Sequence, residues 1–309
     1  MGQYFNRPGF FDEAGKVSIK KSGKPGLPIV LEILLAFAVC LLRSLINQLI
    51  VHFESVPPLL SGRVLSYVDS IGEDNIIRLW QYFLIGLSSF VAISIIKLFQ
   101  KRKYRTYGYT FKNLFRHSLI GIIIGCATIL LAIGILIISD SIRVYPAEYN
   151  RMTVLLYFIS FLFMAHGEEL LFRGQIMVSA ARRYPVWVAV LVNSAVMAIS
   201  NITAEGVGFI AFMNMILFSI LMSMLFIRTG NLWMITFMHA SWNFVQGNIF
   251  GFLTSGVYPG DSVFRTTSNI AREFVNGAEF GIEGGLAASL VLCLSIAFVL
   301  LFVKPCKDA

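Results

Sequence analysis

Long apolar segments alternate with short polar ones along most of the chain. Segments close to the roughly twenty residues needed to cross hydrocarbon as a helix run over 28–53, 79–98, 117–139, 153–174, 186–203, 207–227, 232–250 and 285–303. This pattern predicts an all-α, multi-pass integral membrane bundle of about eight transmembrane helices.

Composition supports a membrane location. The chain is 57% hydrophobic and 14% charged, whereas soluble domains are roughly 45–50% apolar and about 25% charged. The mean hydropathy is +0.75. A polar, basic stretch over 1–27 precedes the first apolar segment, without the pattern of a cleaved signal peptide. We therefore expect a cytoplasmic basic tail over 1–27, followed by a single helical transmembrane domain over 28–309.

The distribution of Lys and Arg predicts the orientation. The N-terminal tail, the region from 97 to 116, the pair Arg182 and Arg183, Arg228 and the C-terminus carry most of the 25 basic residues. The intervening loops carry few, so the positive-inside rule places both termini in the cytoplasm. These clusters explain the net charge of +8 through attraction to anionic membrane lipid rather than to nucleic acid. We expect a multi-pass protein of the cell membrane, in a bacterial plasma membrane.

Two adjacent acids, Glu168 and Glu169, interrupt the fourth apolar segment. A carboxylate in hydrocarbon is costly, so acids there face a protein interior or a water-filled cavity and mark function. Glu169 and Arg173 are four residues apart on one helical face and can form an ion pair. Glu168 is rotated about 100° away, without a partner on its own helix, and is suited to act as a general base toward water. The alternative is that both acids are structural.

A second polar pair lies in the seventh segment. His239 and Asn243 are four residues apart, so both side chains point from one helical face into the bundle. Two hydrogen-bond donors converging in a dry cavity can hold the oxyanion of a tetrahedral intermediate. A packing histidine and an interhelical amide would use the same spacing.

These motifs resemble those of the CPBP membrane proteases, also called abortive-infection proteins, which include type II CAAX prenyl endopeptidases and bacteriocin-processing enzymes. The Glu-Glu-x-x-x-Arg motif is matched by Glu168, Glu169 and Arg173, and the His-x-x-x-Asn motif by His239 and Asn243, within about 150–250. The resemblance implies a bundle of about eight helices in which the first glutamate activates water. It also implies that His239 and Asn243 bind the oxyanion, while Arg173 supports the motif.

One position departs from the family. Its Phe-x-x-x-His motif corresponds to Met197 and Asn201 here, so an amide stands where the catalytic histidine would be. An amide cannot shuttle a proton, although it can orient the attacking water. The partner that would share acid-base work with Glu168 is therefore missing.

Other chemistries fit the sequence less well. The order His166-Gly-Glu168-Glu169 is not the HExxH zinc motif, so we predict no metal and no cofactor. A proton or cation transporter would need a pair of broken helices, which the sequence does not indicate. The Gly-rich stretch 251–284 suggests no chemistry, and Gly121 and Gly125 have the spacing of close helix packing.

The sequence thus predicts an intramembrane endopeptidase that hydrolyses a peptide bond near the cytoplasmic side of the bilayer. Its substrate would be a peptide or protein, including lipidated chains, as in CAAX-type or leader-peptide processing. Glu168 would deprotonate a water held against Asn201, while His239 and Asn243 stabilise the oxyanion. The alternative is a non-catalytic immunity or scaffold protein that retains the fold.

Overall fold

The computed structural model describes residues 71–100 and 102–303, together with Leu34 and Ala38. The predicted tail over 1–27 lies outside the described residues, as does nearly all of the first predicted span over 28–53.

Long helices form most of the described structure and correspond to the second to eighth predicted spans. They are α1 (Glu73–Gln100), α2 (Leu114–Ile138), α3 (Arg151–Ala181), α4 (Val186–Ser200), α5 (Phe209–Thr229), α6 (Leu232–Phe244) and α7 (Leu286–Phe302). By length and hydropathy, α1, α2, α3 and α5 qualify as membrane spans, whereas α4 and α7 are shorter apolar helices. Short helical turns occupy Tyr104–Tyr107, Ile270–Arg272, Glu273–Asn276, Ala278–Phe280 and Ile282–Gly284.

Helix α3 is longer than the predicted segment and changes geometry along its length. The Asn150 side chain caps its first turn by accepting hydrogen bonds from the backbone N–H groups of Met152 and Thr153. Directly after Glu169 the helix becomes π-helical over Leu170–Met177 before an α-helical final turn. Such π segments are frequent at functional sites, and this one follows the adjacent acids.

A glycine separates α5 from α6. Gly230 adopts a left-handed conformation with φ of 63° and ends α5, as glycine does readily. Asn231 then accepts hydrogen bonds from the N–H groups of Trp233 and Met234, and so starts α6. After Phe244 the chain continues as a π-helical turn, Val245–Ile249.

Two short strands depart from the all-helical expectation. Strand β1 (Ile142–Pro146) pairs antiparallel with β2 (Phe264–Ser268), with Val144 opposite Thr266. The strands are five residues each and more than a hundred residues apart in sequence. Because the two strands lie far apart in the sequence, local pattern did not indicate that they pair.

The helices pack in a continuous series: α1 against α3, α3 against α6, α6 against α2, α2 against α7, α7 against α5, and α5 against α4. Two glycines allow α2 and α6 to approach closely. A Cβ atom on Gly121 would lie 2.2 Å from the Met234 carbonyl oxygen, and one on Gly125 would lie 2.4 Å from that of Met238. The packing role predicted from their spacing is therefore present.

The outer surface of the bundle is apolar. Helix α2 is one example, and it exposes six large aliphatic side chains along its length: Leu119, Ile123, Leu130, Leu131, Ile137 and Ile138. Such a continuous apolar surface marks contact with a membrane or partner. Together with the four long apolar helices, it fits a multi-pass membrane protein.

Candidate active site

The ion pair predicted within α3 is present. Arg173 Nη1 lies 3.1 Å from Glu169 Oε1 and 3.1 Å from Oε2, and both side chains are fully buried. Because the two residues are one turn apart on α3, local sequence was sufficient to predict their contact.

Arg173 also joins α3 to its neighbours. Its Nη2 donates to both the backbone oxygen and the Oγ of Ser219 on α5, at 3.1 Å each. The same nitrogen lies 3.7 Å from Met197 Sδ on α4. A buried ion pair offsets its desolvation cost only when further hydrogen bonds satisfy its groups, and Ser219 provides them.

His239 is held between the two glutamates. Its Nδ1 is 2.8 Å from Glu169 Oε1, and its Nε2 is 3.9 Å from Glu168 Oε2. An ionised carboxylate only accepts hydrogen bonds, so Nδ1 carries a proton toward Glu169. Nε2 then faces Glu168, and it can donate only when the ring carries both protons. His239 thus approaches Glu168 from α6.

A cavity of about 220 Å³ brings the remaining predicted residues together. Its polar wall includes Glu168, Asn201, His239 and Asn243. Since a water molecule occupies about 30 Å³ in the liquid, the cavity has room for several waters or for part of a peptide. Its apolar wall includes Tyr82, Ile85, Met164, Met197, Met215, Phe218, Trp242, Val257 and Leu292.

Asn201 is the first residue after α4 and is only partly buried. Its Nδ2 donates to the Met197 carbonyl oxygen at 2.9 Å and to Ser200 Oγ at 3.3 Å. These bonds commit the amide nitrogen to its own helix end, and neither uses Oδ1. Oδ1 is therefore the atom of Asn201 suited to accept a hydrogen bond from a water in the cavity.

Asn243 lies one turn beyond His239 on α6. Its side chain is 4% exposed, lines the cavity and forms no hydrogen bond with any residue in the described ranges. A buried amide normally finds partners, so its N–H groups are available to a bound molecule.

The cavity lies toward the helix ends opposite those that carry the basic residues, whereas the sequence placed the site near the cytoplasmic side. Lys97, Arg182 and Arg228 mark the ends assigned to the cytoplasm. The cavity is instead lined from the opposite halves of the helices: by Asn201 just past the end of α4, and by the segment around Thr254.

The Gly-rich segment, to which the sequence assigned no chemistry, contributes Thr254, Ser255, Val257 and Glu283 to the cavity. Ser255 donates to Glu283 Oε2 from its backbone nitrogen at 2.9 Å and from its Oγ at 2.8 Å. The one sequence signal for Glu283 was its place among glycines immediately before the last apolar segment.

The glycines near Glu283 allow chain segments to cross closely. Gly281 has φ of +91°, and a Cβ atom there would lie 2.1 Å from the Leu253 carbonyl oxygen. Asn214 on α5 fixes the same turn, because its Nδ2 donates to the backbone oxygens of Glu283 and Gly285 at 2.8 and 2.9 Å. The Glu283 carboxyl group is thus placed against the cavity by a rigid turn.

The side chains of the site do not resemble a metal centre. Across the part of the chain that the structure describes, no three His, Cys, Asp or Glu side chains are grouped closely enough to hold a metal ion.

Comparison with known families agrees with the motifs. Residues 150–245 match the family model described as Rce1-like, type II CAAX prenyl endopeptidase. All six residues predicted for the site lie within the matched segment. The match confirms the resemblance to the CPBP proteases and supports a CAAX-protease-like membrane fold for the matched region. Comparisons with curated proteins and with solved structures found no match.

Proposed function

We propose that the chain is an intramembrane endopeptidase that hydrolyses a peptide bond by means of a water activated by Glu168. The observation that carries the proposal is the convergence of Glu168, His239 and Asn243 on one cavity, with Glu169 and Arg173 fixed behind His239. The family match supports the same reaction class.

Glu168 is the general base in this scheme. Its carboxylate accepts a proton from a water in the cavity while the water oxygen attacks the substrate carbonyl carbon. Asn201 Oδ1 can accept the second water hydrogen and so orient the nucleophile. Its two amide hydrogen bonds, to Met197 and Ser200, hold Asn201 for this purpose.

His239 and Asn243 stabilise the oxyanion. The Asn243 amide donates directly, whereas His239 donates through Nε2 as an imidazolium because Nδ1 already donates to Glu169. The carboxylates of Glu168 and Glu169 lie near the two ring nitrogens of His239, at 3.9 Å from Nε2 and 2.8 Å from Nδ1. Donors held in place before the reaction contribute about 3–4 kcal/mol each to transition-state stabilisation.

The test compares the wild-type chain with Glu168→Gln in detergent or proteoliposomes, with lipidated and leader-bearing peptides as substrates. We expect Glu168→Gln to lower kcat/KM by about 10²–10⁴-fold without a change in thermal unfolding. Glu73→Gln, at the exposed first turn of α1, is the matched control and should cleave at the wild-type rate. Cleavage that persists in Glu168→Gln would overturn the mechanism.

One observation favours the second candidate, a non-catalytic immunity or scaffold protein. Asn201 occupies the position of the family's catalytic histidine, and its amide nitrogen is turned to its own helix end. If this explains the function, the wild-type chain cleaves no peptide and its cellular role survives Glu168→Gln. Asn201→His would then be expected to create cleavage in a site that is otherwise complete.

A further inference from the structure

The cavity contains a second carboxyl group that the Glu168 scheme does not use. Glu283 is only partly exposed and borders the same cavity as Glu168, His239 and Asn243. It enters from the turn before α7, so the cavity has carboxyl groups contributed by separate segments. Peptide hydrolysis requires a base to activate water and an acid to protonate the leaving nitrogen.

Both hydrogen bonds that Ser255 donates to Glu283 go to the same carboxyl oxygen. Both bonds from Ser255 go to Oε2, at 2.9 and 2.8 Å, so Oε1 carries neither of them. A protonated carboxyl group that accepts two hydrogen bonds at one oxygen presents its O–H from the other. The bonds from Asn214 to the backbone of the turn hold this arrangement in place.

The protonated form is also the one that burial favours. Burial raises the pKa of the Glu283 carboxyl group above its usual range, against the opposing effects of the Ser255 hydrogen bonds, His239 and Trp242. Burial penalises the charged form of a carboxyl group. A protonated Glu283 is therefore suited to the acid task, which complements the base role proposed for Glu168.

We propose that Glu283 is a second catalytic residue, the general acid that protonates the leaving amine in place of the histidine absent at Asn201. This inference rests on the proposed peptidase function. As the C–N bond of the tetrahedral intermediate breaks, the Oε1 proton of Glu283 passes to the leaving nitrogen, and the electron pair of that bond stays on the nitrogen. The cycle closes when the proton taken by Glu168 returns to Glu283 through water in the cavity.

The test compares two substrates of the same sequence in the full-length chain. One has a scissile amide, and the other has an ester at that position with a nitrophenol leaving group, which needs no proton. Glu283→Gln should lower kcat/KM for the amide by about 10²–10³-fold, and for the ester by less than about 5-fold. Glu168→Gln should lose both activities.

The pH profile provides a second readout. Tyr82, Glu168 and His239 are the titratable side chains that line the cavity with Glu283. Because a general acid must be protonated, amide cleavage by the wild-type chain should fall as pH rises through the raised pKa of Glu283. The oxyanion donors act on both substrates, so the decrease assigned to Glu283 is measured as a fall in the ratio of amide to ester kcat/KM. Ser255→Ala, which retains the carboxyl group but removes the Oγ bond, should show a smaller loss confined to the amide.

The outcomes separate the two proposals. If Glu283→Gln loses amide and ester cleavage equally, Glu283 has a structural role. If Glu283→Gln cleaves the amide at the wild-type rate, Glu283 has no role in the reaction. Either result overturns the inference and leaves the Glu168 scheme intact. If Glu283→Gln does not fold, Ser255→Ala and the wild-type pH profiles decide, and a ratio of amide to ester kcat/KM that stays constant with pH overturns the inference. If the wild-type chain cleaves neither substrate, both proposals are wrong.

Discussion

Replacing Arg173 with methionine should strongly destabilise the protein, because it would leave the Glu169 charge buried without its main counterion. Both side chains are fully buried, and Arg173 makes two close contacts to the carboxylate and two to Ser219. Methionine keeps much of the arginine volume, so the loss is mainly electrostatic. Removing one partner of a buried ion pair costs about 3–5 kcal/mol.

The double variant Glu169→Gln/Arg173→Met isolates the pair. Neutral glutamine can still accept the hydrogen bond from His239 Nδ1, which is 2.8 Å from Glu169 Oε1. The double variant should therefore be more stable than the sum of the two single changes predicts, by a coupling energy of about 2–3 kcal/mol. Equilibrium unfolding in mixed micelles, followed by tryptophan fluorescence, measures all four free energies of unfolding.

Arg228→Met is the matched control. Arg228 is also buried, but its guanidinium donates from Nη1 to a carbonyl, the Val303 oxygen, at 2.8 Å. Its removal should cost about 1 kcal/mol, with no coupling to Glu169→Gln. A loss below about 1 kcal/mol in Arg173→Met, or strictly additive single and double changes, would refute the view that this ion pair is a major stabilising element.

Two further predictions test the packing and the orientation. Gly125→Ala should destabilise the protein by about 1–3 kcal/mol, because the new Cβ would lie 2.4 Å from a carbonyl oxygen of α6. Gly134→Ala on the same helix meets nothing within 4 Å and should be neutral or stabilising in the same unfolding assay; equal effects would contradict the packing argument. In a background without native cysteines, an impermeant maleimide should label Thr267→Cys on intact cells and Lys112→Cys only after permeabilisation; the reverse pattern would invert the orientation predicted from the basic residues.

The sequence predicted those features of the site that depend on local spacing. Glu169 and Arg173 share a face of α3, and His239 and Asn243 share a face of α6, because residues one turn apart are neighbours on any helix. The apolar segments likewise located α1 to α7 to within several residues at most ends, because hydrocarbon thickness sets the length of a span.

Contacts between distant segments were not predictable in this way. The hydrogen bond between His239 and Glu169 joins residues 70 positions apart, and the amphipathic spacing of α6 does not determine which face of α3 it meets. Glu283 lies in a turn without regular periodicity, so hydrophobic pattern gave no information about its direction. The tight crossing at Gly281 places it, through a left-handed φ and a contact with Leu253.

The position of Glu283 changes the meaning of the substitution at Asn201. Within the motif alone, asparagine in place of histidine removes a proton carrier, which indicates a protein that has lost the protease activity. In the folded chain, Asn201 and Glu283 line the same cavity, and Glu283 has an oxygen that the Ser255 bonds do not use. An amide can hold the water while a carboxyl group supplies the proton, so the two tasks of one histidine can be divided between two residues. If so, Asn201→His should restore amide cleavage to Glu283→Gln, whereas it should add little to the wild-type chain.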